Sequence, residues 1–376
     1  MASLRSQSPK VYVAKASLPA LPPPVGTSGL VGWLRQNLFY NITNSLMTIV
    51  IVLLLWLLVS SSSGWFVFDA VVQASSKQEC LQVDNGACWA VIGKRIEQFM
   101  FGFYPEAERW RPLTCFFLLF VAIGPLLMPN FPARRQMLWF GIFFPVLAGV
   151  LLLGGVLGLP PVKTSLFGGF MLTLIVGVTG IVASLPLGIL LALGRQSSLL
   201  AVRTLSIMFI ELMRGVPLIT LLFVASTMLN YFLPPGTHFD LLLRVLIMVT
   251  FFSAAYIAEV IRGGLQAIPA GQYEAAQAIG LDYWQTTRLI TLPQALKISI
   301  PGIVNTFIGL YKDTTLVIVI GLLDPLGIGR AALADANWNG LSNEIYLFVA
   351  LFFFVSCFAM SRYSLWLEKR LATEHR

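Results

Sequence analysis

The stretch LMTIVIVLLLWLLV, residues 46–59, carries no charged side chain, and runs like it recur along the 376 residues. A helix needs ~20 such residues to cross the hydrocarbon core of a bilayer. Its backbone N–H and C=O groups must then be satisfied within the segment. The chain is therefore expected to be an all-α integral membrane protein. A barrel would show short segments of alternating polarity instead. Hydrophobic residues make up 57% and charged residues 11%, against ~25% charged in soluble domains. About eight spans are predicted, Ile42–Ser63, Leu113–Pro129, Leu138–Leu159, Leu166–Leu193, Val216–Leu233, Phe239–Ile261, Ile298–Leu323 and Ile345–Leu365. The first starts too far along and runs too long for a cleavable signal peptide.

Basic residues mark the cytoplasmic side of such a protein. Arg5, Lys10, Lys15 and Arg35 precede the first span, and Arg134 and Arg135 follow the second. Arg195, Arg203, Arg362, Lys369 and Arg370 fall on the same predicted side, whereas Lys163 and Arg330 each stand alone in an opposite turn. Both termini are expected in the cytoplasm, so the net charge of +8 reflects topology. No basic face of the kind that nucleic acid requires is apparent, so the expected surroundings are the lipid bilayer, not nucleic acid.

Four regions are expected. Residues 1–41 form a cytoplasmic tail, Ser-, Pro- and Ala-rich and disordered at its start. Residues 42–165 hold three spans and a large external loop, 64–112. Residues 166–370 form a five-span core with a long internal connection, 262–297, and 371–376 are a terminal tail. The loop sequence KRIEQFMFGFYPEAERW, residues 94–110, mixes aromatic and charged residues in a way that suits an anchoring helix at the lipid–water boundary. Docking of an external partner is the alternative. Cys80 and Cys88 share that loop, as a disulfide or as two free thiols, while Cys115 and Cys357 lie within spans. The only histidines are His238 and His375, so no metal-ligand spacing and no catalytic set is found.

Residues 268–296, IPAGQYEAAQAIGLDYWQTTRLITLPQAL, form an unexpectedly polar interruption between two spans. Pro269 suits a helix start, and Gly280 supplies the left-handed position that closes a helix. Asp282 with Gln285 makes a capping-box pattern for a second helix, which Pro293 is expected to break. Ile279, Trp284, Leu289 and Ile290 need something to bury against, either this chain's own spans or a groove on a partner.

This segment resembles the EAA signature of ABC importer permeases, which reads Glu-Ala-Ala, three residues, Gly, nine residues, Ile-x-Leu-Pro. Glu274, Ala275, Ala276, Gly280, Ile290, Leu292 and Pro293 match at every specified position. The resemblance implies a coupling helix seated on an ATP-hydrolysing subunit, within a type I importer fold in the last five spans. No G-x-x-x-x-G-K-[ST] loop occurs in the chain, so ATP and Mg would be held by partner ATPase subunits and no cofactor by this chain.

Three further blocks resemble the polar amino acid (histidine/glutamate-type) permeases within that family. MRGVPLITLLF, 213–223, implies that Arg214, Gly215 and Pro217 form an elbow near an inner gate. AAYIAEVIRGG, 254–264, places Glu259 where it contacts a substrate α-ammonium or braces Arg262. YKDTTLVIVIG, 311–321, places Lys312, Asp313, Thr314 and Thr315 in the transport pathway or at the junction of paired permeases. The extra spans and large loop are most similar to the M-type permease subunit of proteobacterial general L-amino acid permeases. That resemblance implies a heterodimer with a second, homologous permease subunit, two ABC ATPase subunits and a periplasmic amino-acid-binding protein, in the bacterial inner membrane. An ion-coupled secondary transporter using Asp313 or Glu259 is the alternative, and a membrane enzyme is a weaker third.

Overall fold

The computed structural model describes residues 29–83, 86–128, 131–156, 158–228, 231, 234 and 239–372. The start of the tail, where disorder was expected, both histidines and the last four residues lie outside them. The chain falls into two compact units, Met1–Asp69 and Ala70–Arg376. The first holds α1 (Gly29–Asn37) and the long apolar α2 (Ile42–Ser63), which Asn41 caps by accepting from the Asn44 N–H at 2.7 Å.

The second unit begins with two short helices, α3 (Lys77–Val83) and α4 (Ala90–Phe101). A hairpin of α5 (Trp110–Leu127) and α6 (Arg134–Leu153) follows, and then the long α7 (Gly169–Arg195). Next come α8 (Leu200–Gly215), α9 (Leu218–Thr227) and α10 (Leu241–Gln266). The internal connection carries α11 (Ala270–Ala278) and α12 (Tyr283–Thr286), and the chain closes with α13 (Leu292–Asp313), α14 (Pro325–Leu333) and α15 (Ser342–Ala372).

Among the described residues six helices are long and apolar enough to cross a membrane, or seven if the bent pair α8–α9 counts as one span. This differs from the eight expected. The predicted second span is α5, whose 18 residues lie at the lower end of a spanning length. The predicted fifth span enters only through the bent pair, which turns by 103° where Val216 and Pro217 leave the helical conformation.

Helices α7 and α10 form the centre. Met171, Leu172 and Val176 pack with Leu242, Val245 and Val249, and α9 adds Leu218 and Leu222. Gly180 lies against Val249 and Gly188 against Ile257. Small residues let helices approach closely where lipid supplies no hydrophobic drive. At the other end of α10, Ile257, Ala258, Ile261 and Leu265 pack with Ala192 of α7, Ile210 of α8, and Ala295 and Ile303 of α13.

The loop 64–112 packs in large part on the rest of the chain. Of the aromatic residues expected at a lipid boundary, Phe99 and Tyr104 are fully buried and Phe101 nearly so, whereas Phe103 and Trp110 are exposed. Val91 and Phe99 of α4 share a core with Ile328 and Ala332 of α14, Phe170 of α7 and Ile345 of α15. Single bridges join Gly102 to Phe167 and Gly168 to Leu323. Gly102 adopts φ +66°, and a side chain there would overlap the Gly168 backbone. Cys80 and Cys88 form a disulfide with Cα atoms 5.8 Å apart. The Cys88 N–H donates to Glu344 of α15 at 3.3 Å, the Lys77 N–H to the Asn337 carbonyl at 2.8 Å, and Arg95 pairs with Asp335. The loop is a folded cap, because apolar area buried against a complementary surface contributes more than the same area left at an interface.

Candidate coupling surface and transport pathway

Helix α11 ends where the Ile279 and Gly280 N–H groups reach back to Ala275 and Gln277 at 3.3 and 3.0 Å. Gly280 then takes φ +79°, a conformation that L residues rarely adopt. The turn hands the chain to Asp282, whose Oδ1 accepts from the Gln285 N–H at 2.7 Å while Gln285 Oε1 accepts from the Asp282 N–H at 3.0 Å. This completes the expected capping box.

Pro293 does not break the second helix. A π-helical turn, Thr287–Thr291, carries α12 into α13, and Pro293 lies in the first turn of α13. A first-turn proline has no intrahelical N–H to lose, and the wider π turn leaves room for its ring.

The loop is anchored on one side only. Ala276, Thr286, Thr287 and Thr291 are buried, and Gln294 Nε2 donates to Gln272 Oε1 at 3.2 Å, tying α13 to α11. The opposite side presents Ile279, Tyr283, Trp284 and Leu289, exposed by 73%, 57%, 70% and 65%. The Tyr283 and Trp284 rings meet edge to face at 5.4 Å. Glu274, Ala275, Gly280 and Pro293 are exposed beside them, and Ile290 and Leu292 are half-buried. The chain's own spans therefore do not cover this ridge.

Glu259 sits where the ends of α7, α8 and α10 meet. Its Oε1 accepts from Arg262 Nε at 3.0 Å and Nη2 at 2.6 Å. Its Oε2 lies 3.3 Å from Arg195 Nη1 and 3.6 Å from Arg214 Nη1. Arg195 also reaches Glu211 of α8 at 2.8 Å, and the Arg214 guanidinium lies 5.7 Å from the Tyr256 ring centre. Glu259 thus pairs with Arg262, as the bracing role requires, and also with arginines on α7 and α8. Arg195 and Glu211 were not singled out as site residues. The readable signal was a lone acid on the amphipathic 197–212 segment facing the last basic residue of the preceding span. Gly215 and Pro217 stand at the elbow beside this cluster.

Lys312 and Asp313 end α13, and the chain tightens into a 3-10 helix, Thr314–Ile320, which Gly321 closes at φ +89°. Lys312 is exposed, Asp313 half-buried and Thr314 buried. Neither charge forms a salt bridge among the described residues. The Thr314 hydroxyl donates to the Tyr311 carbonyl at 2.8 Å, and that of Thr315 to Lys312 at 2.9 Å. The structure thus separates the predicted residues into three places: the ridge, the Glu259 cluster and the end of α13.

Comparison with known proteins places the chain in a family. The family model described as binding-protein-dependent transport system inner membrane component matches residues 184–373. The glutamate/glutamine/aspartate/asparagine transport system permease protein BztC of Rhodobacter capsulatus is 47% identical, over 97% of this chain and 99% of its own length. The inner membrane amino-acid ABC transporter permease protein YhdY of Escherichia coli K12 is 46% identical, over 95% of this chain and 97% of its own. The glutamate/aspartate import permease protein GltK of Escherichia coli O6:H1 is 32% identical and aligns 93% of its length with 55% of this chain. Two of these relatives thus share the added N-terminal region, and the shorter one matches only about half of the chain. With a family model over half its length and a relative at 47% identity over nearly all of it, the chain belongs to the inner membrane components of binding-protein-dependent transport systems.

Proposed function

We propose that this chain is the permease subunit of an ATP-driven importer for acidic and amide amino acids, the range named for the Rhodobacter capsulatus relative. The carrying observation is the ridge of Ile279, Tyr283, Trp284 and Leu289, left uncovered on a loop with complete EAA spacing. Large apolar side chains in fully solvated positions mark a partner site. The partner is one of two ABC ATPase subunits, which hold ATP and Mg. The chain itself is a membrane component and makes and breaks no covalent bonds. Family membership sets aside the ion-coupled reading.

In this reading both termini are cytoplasmic and α5 counts as an eighth span. The last five spans form a type I core that pairs with a second, homologous permease subunit. The disulfide-bonded cap then faces the periplasm, where oxidation persists, and lies at the end to which the binding protein delivers its cargo. ATP-driven closure of the ATPase pair pulls on Glu274–Pro293. Residues Ala295 and Ile303 of α13 pack on Ile257 and Ile261 of α10, so the pull is passed to the helix that carries Glu259. Arg214, Gly215 and Pro217 with Glu259 form the inner gate, and Lys312, Asp313, Thr314 and Thr315 face the pathway or the second permease. An exposed lysine within a span needs such a wet or charged neighbour. Glutamate and glutamine have nearly the same shape, as do aspartate and asparagine. One site admits all four if its donors read the shared carbonyl oxygen.

The test is co-expression of the full complex with Ile279→Asp and Trp284→Asp together. Both side chains are exposed, so the permease should keep its helical content and membrane insertion while the ATPase subunits no longer co-purify and uptake is lost. Full uptake and normal ATPase retention would refute the coupling assignment.

A further inference from the structure

A cavity of about 310 Å³ lies among α5, α6, α7 and α10, at the small end of ligand sites. Its wall is apolar, with Cys115 of α5, Phe144 and Leu152 of α6, Met171 and Ile175 of α7, and Leu246 of α10. At one end sit Thr164 and Asp240, whose Oγ1 and Oδ1 are hydrogen-bonded at 2.7 Å. Asp240 Oδ2 also accepts from the Leu242 N–H at 2.9 Å, capping α10. Leu153 and Leu243 line the cavity and are themselves exposed, so it opens on the outer surface of the chain.

Protein interiors rarely leave voids this large, and an apolar wall does not hold water. Three of the four surrounding helices are long and apolar enough to cross a membrane, which makes lipid the natural source of an occupant. The helices around the void already pack on one another, α5 on α6, α6 on α7 and α7 on α10. A further helix would have to part them, whereas a single flexible chain would not. A free amino acid is a poor occupant, because its ammonium and carboxylate both need partners and, among the described residues, the lining offers only one charged group, Asp240. That carboxylate disfavours an anionic headgroup and favours an ammonium. Lys163, exposed beside Thr164 in the chain, supplies a cation for a phosphate.

We propose that this cavity binds one acyl chain of a phospholipid whose amine-bearing headgroup sits over Asp240. The lipid fills the seam between the added α5–α6 hairpin and the central α7–α10 pair, and so serves as part of the structure.

Gly149 lines the cavity, and a Cβ added there meets no atom within 4 Å. Gly149→Phe therefore adds bulk at the lining from a position where the Cβ itself meets no obstacle. In native mass spectrometry of the complete transporter in mild detergent, wild type and Gly149→Ala should each retain one phospholipid per copy that Gly149→Phe lacks. Phosphatidylethanolamine should be held over phosphatidylglycerol by roughly fivefold, a modest electrostatic preference. Asp240→Asn, which keeps the helix cap, should remove that preference but keep the lipid. Equal lipid retention by wild type and Gly149→Phe would overturn the proposal. If Gly149→Phe does not assemble, a photo-crosslinking benzoylphenylalanine at Leu153 decides the matter in an otherwise wild-type chain. A phospholipid adduct supports the site, and a polypeptide adduct or none rejects it.

Discussion

The cap formed by loop 64–112 and the EAA loop 262–297 look alike on paper. Each is a connection between spans that carries aromatic residues among charges, yet the cap buries Phe99 and Tyr104 completely while the loop exposes Trp284 and Ile279. The cap faces α14 and α15, whose Ile328, Ala332 and Ile345 offer a matching apolar surface. The loop has its small residue Ala276 turned inward and its large ones outward. Aromatic content therefore does not say whether a loop is a core or a docking site. What decides is whether the chain holds a surface to receive it.

The most direct way to break this contrast is to truncate one large side chain in each region. Phe99→Ala should cost about 3–5 kcal/mol, as a cavity beside Phe348 and Phe170, seen as a lower melting temperature and weak expression. Trp284→Ala should stay within about 0.5 kcal/mol of wild type in the isolated permease but lose ATPase retention by tenfold or more. Equal stability losses would mean that the two regions are the same kind of core.

The cap end should also respond to pH, through its floor. Asp324 caps α14, accepting from the Gly327 N–H at 2.9 Å, but its Oδ2 is buried without a partner, and burial pushes its pKa up to about 6. A raised folded-state pKa favours the protonated form. That contribution is present in full below pH ~4 and is lost as pH rises to about 6, on the order of 3 kcal/mol. Asp324→Asn should keep the cap and flatten the melting temperature across pH 4–7. An unchanged pH dependence in the variant would assign it elsewhere.

Redox state gives a third handle. Reducing Cys80–Cys88, or replacing Cys80 by Ser, should remove about 2–3 kcal/mol from the cap and leave ATPase binding intact. If ATPase retention fell first, the two ends would not be independent. Gly280→Ala should cost about 1–2 kcal/mol, as an L residue at positive φ. Its larger signature should be ATP hydrolysis poorly coupled to uptake in proteoliposomes.

Much of the coupling loop was legible because its rules are local. Gly280, Asp282 and Gln285 announce a turn and a cap within six residues, and the structure forms both. Pro293 misled because a proline reads as a break wherever it falls, whereas its cost depends on its position in the turn. The α8–α9 elbow was also readable from Gly215 and Pro217. The span count was less so, since the 18 residues of α5 lie at the lower end of a spanning length.

The Glu259 cluster shows the limit of local reading. Arg195, Glu211 and Arg214 are separated from Glu259 by up to 64 positions, and nothing in their neighbourhoods states that three helix ends converge. The cap shows the same limit, with Cys88 held by Glu344 across 256 positions. The sequence by itself determined that the chain is helical, lies in a membrane and carries a complete EAA loop, because hydropathy, caps and turns act over a few residues. Only the tertiary structure decided which aromatic residues are core, which acid gathers three arginines, and where a cavity is left between an added hairpin and a permease core. Those depend on surfaces brought together from distant parts of the chain, and side-chain complementarity between them leaves no short-range trace.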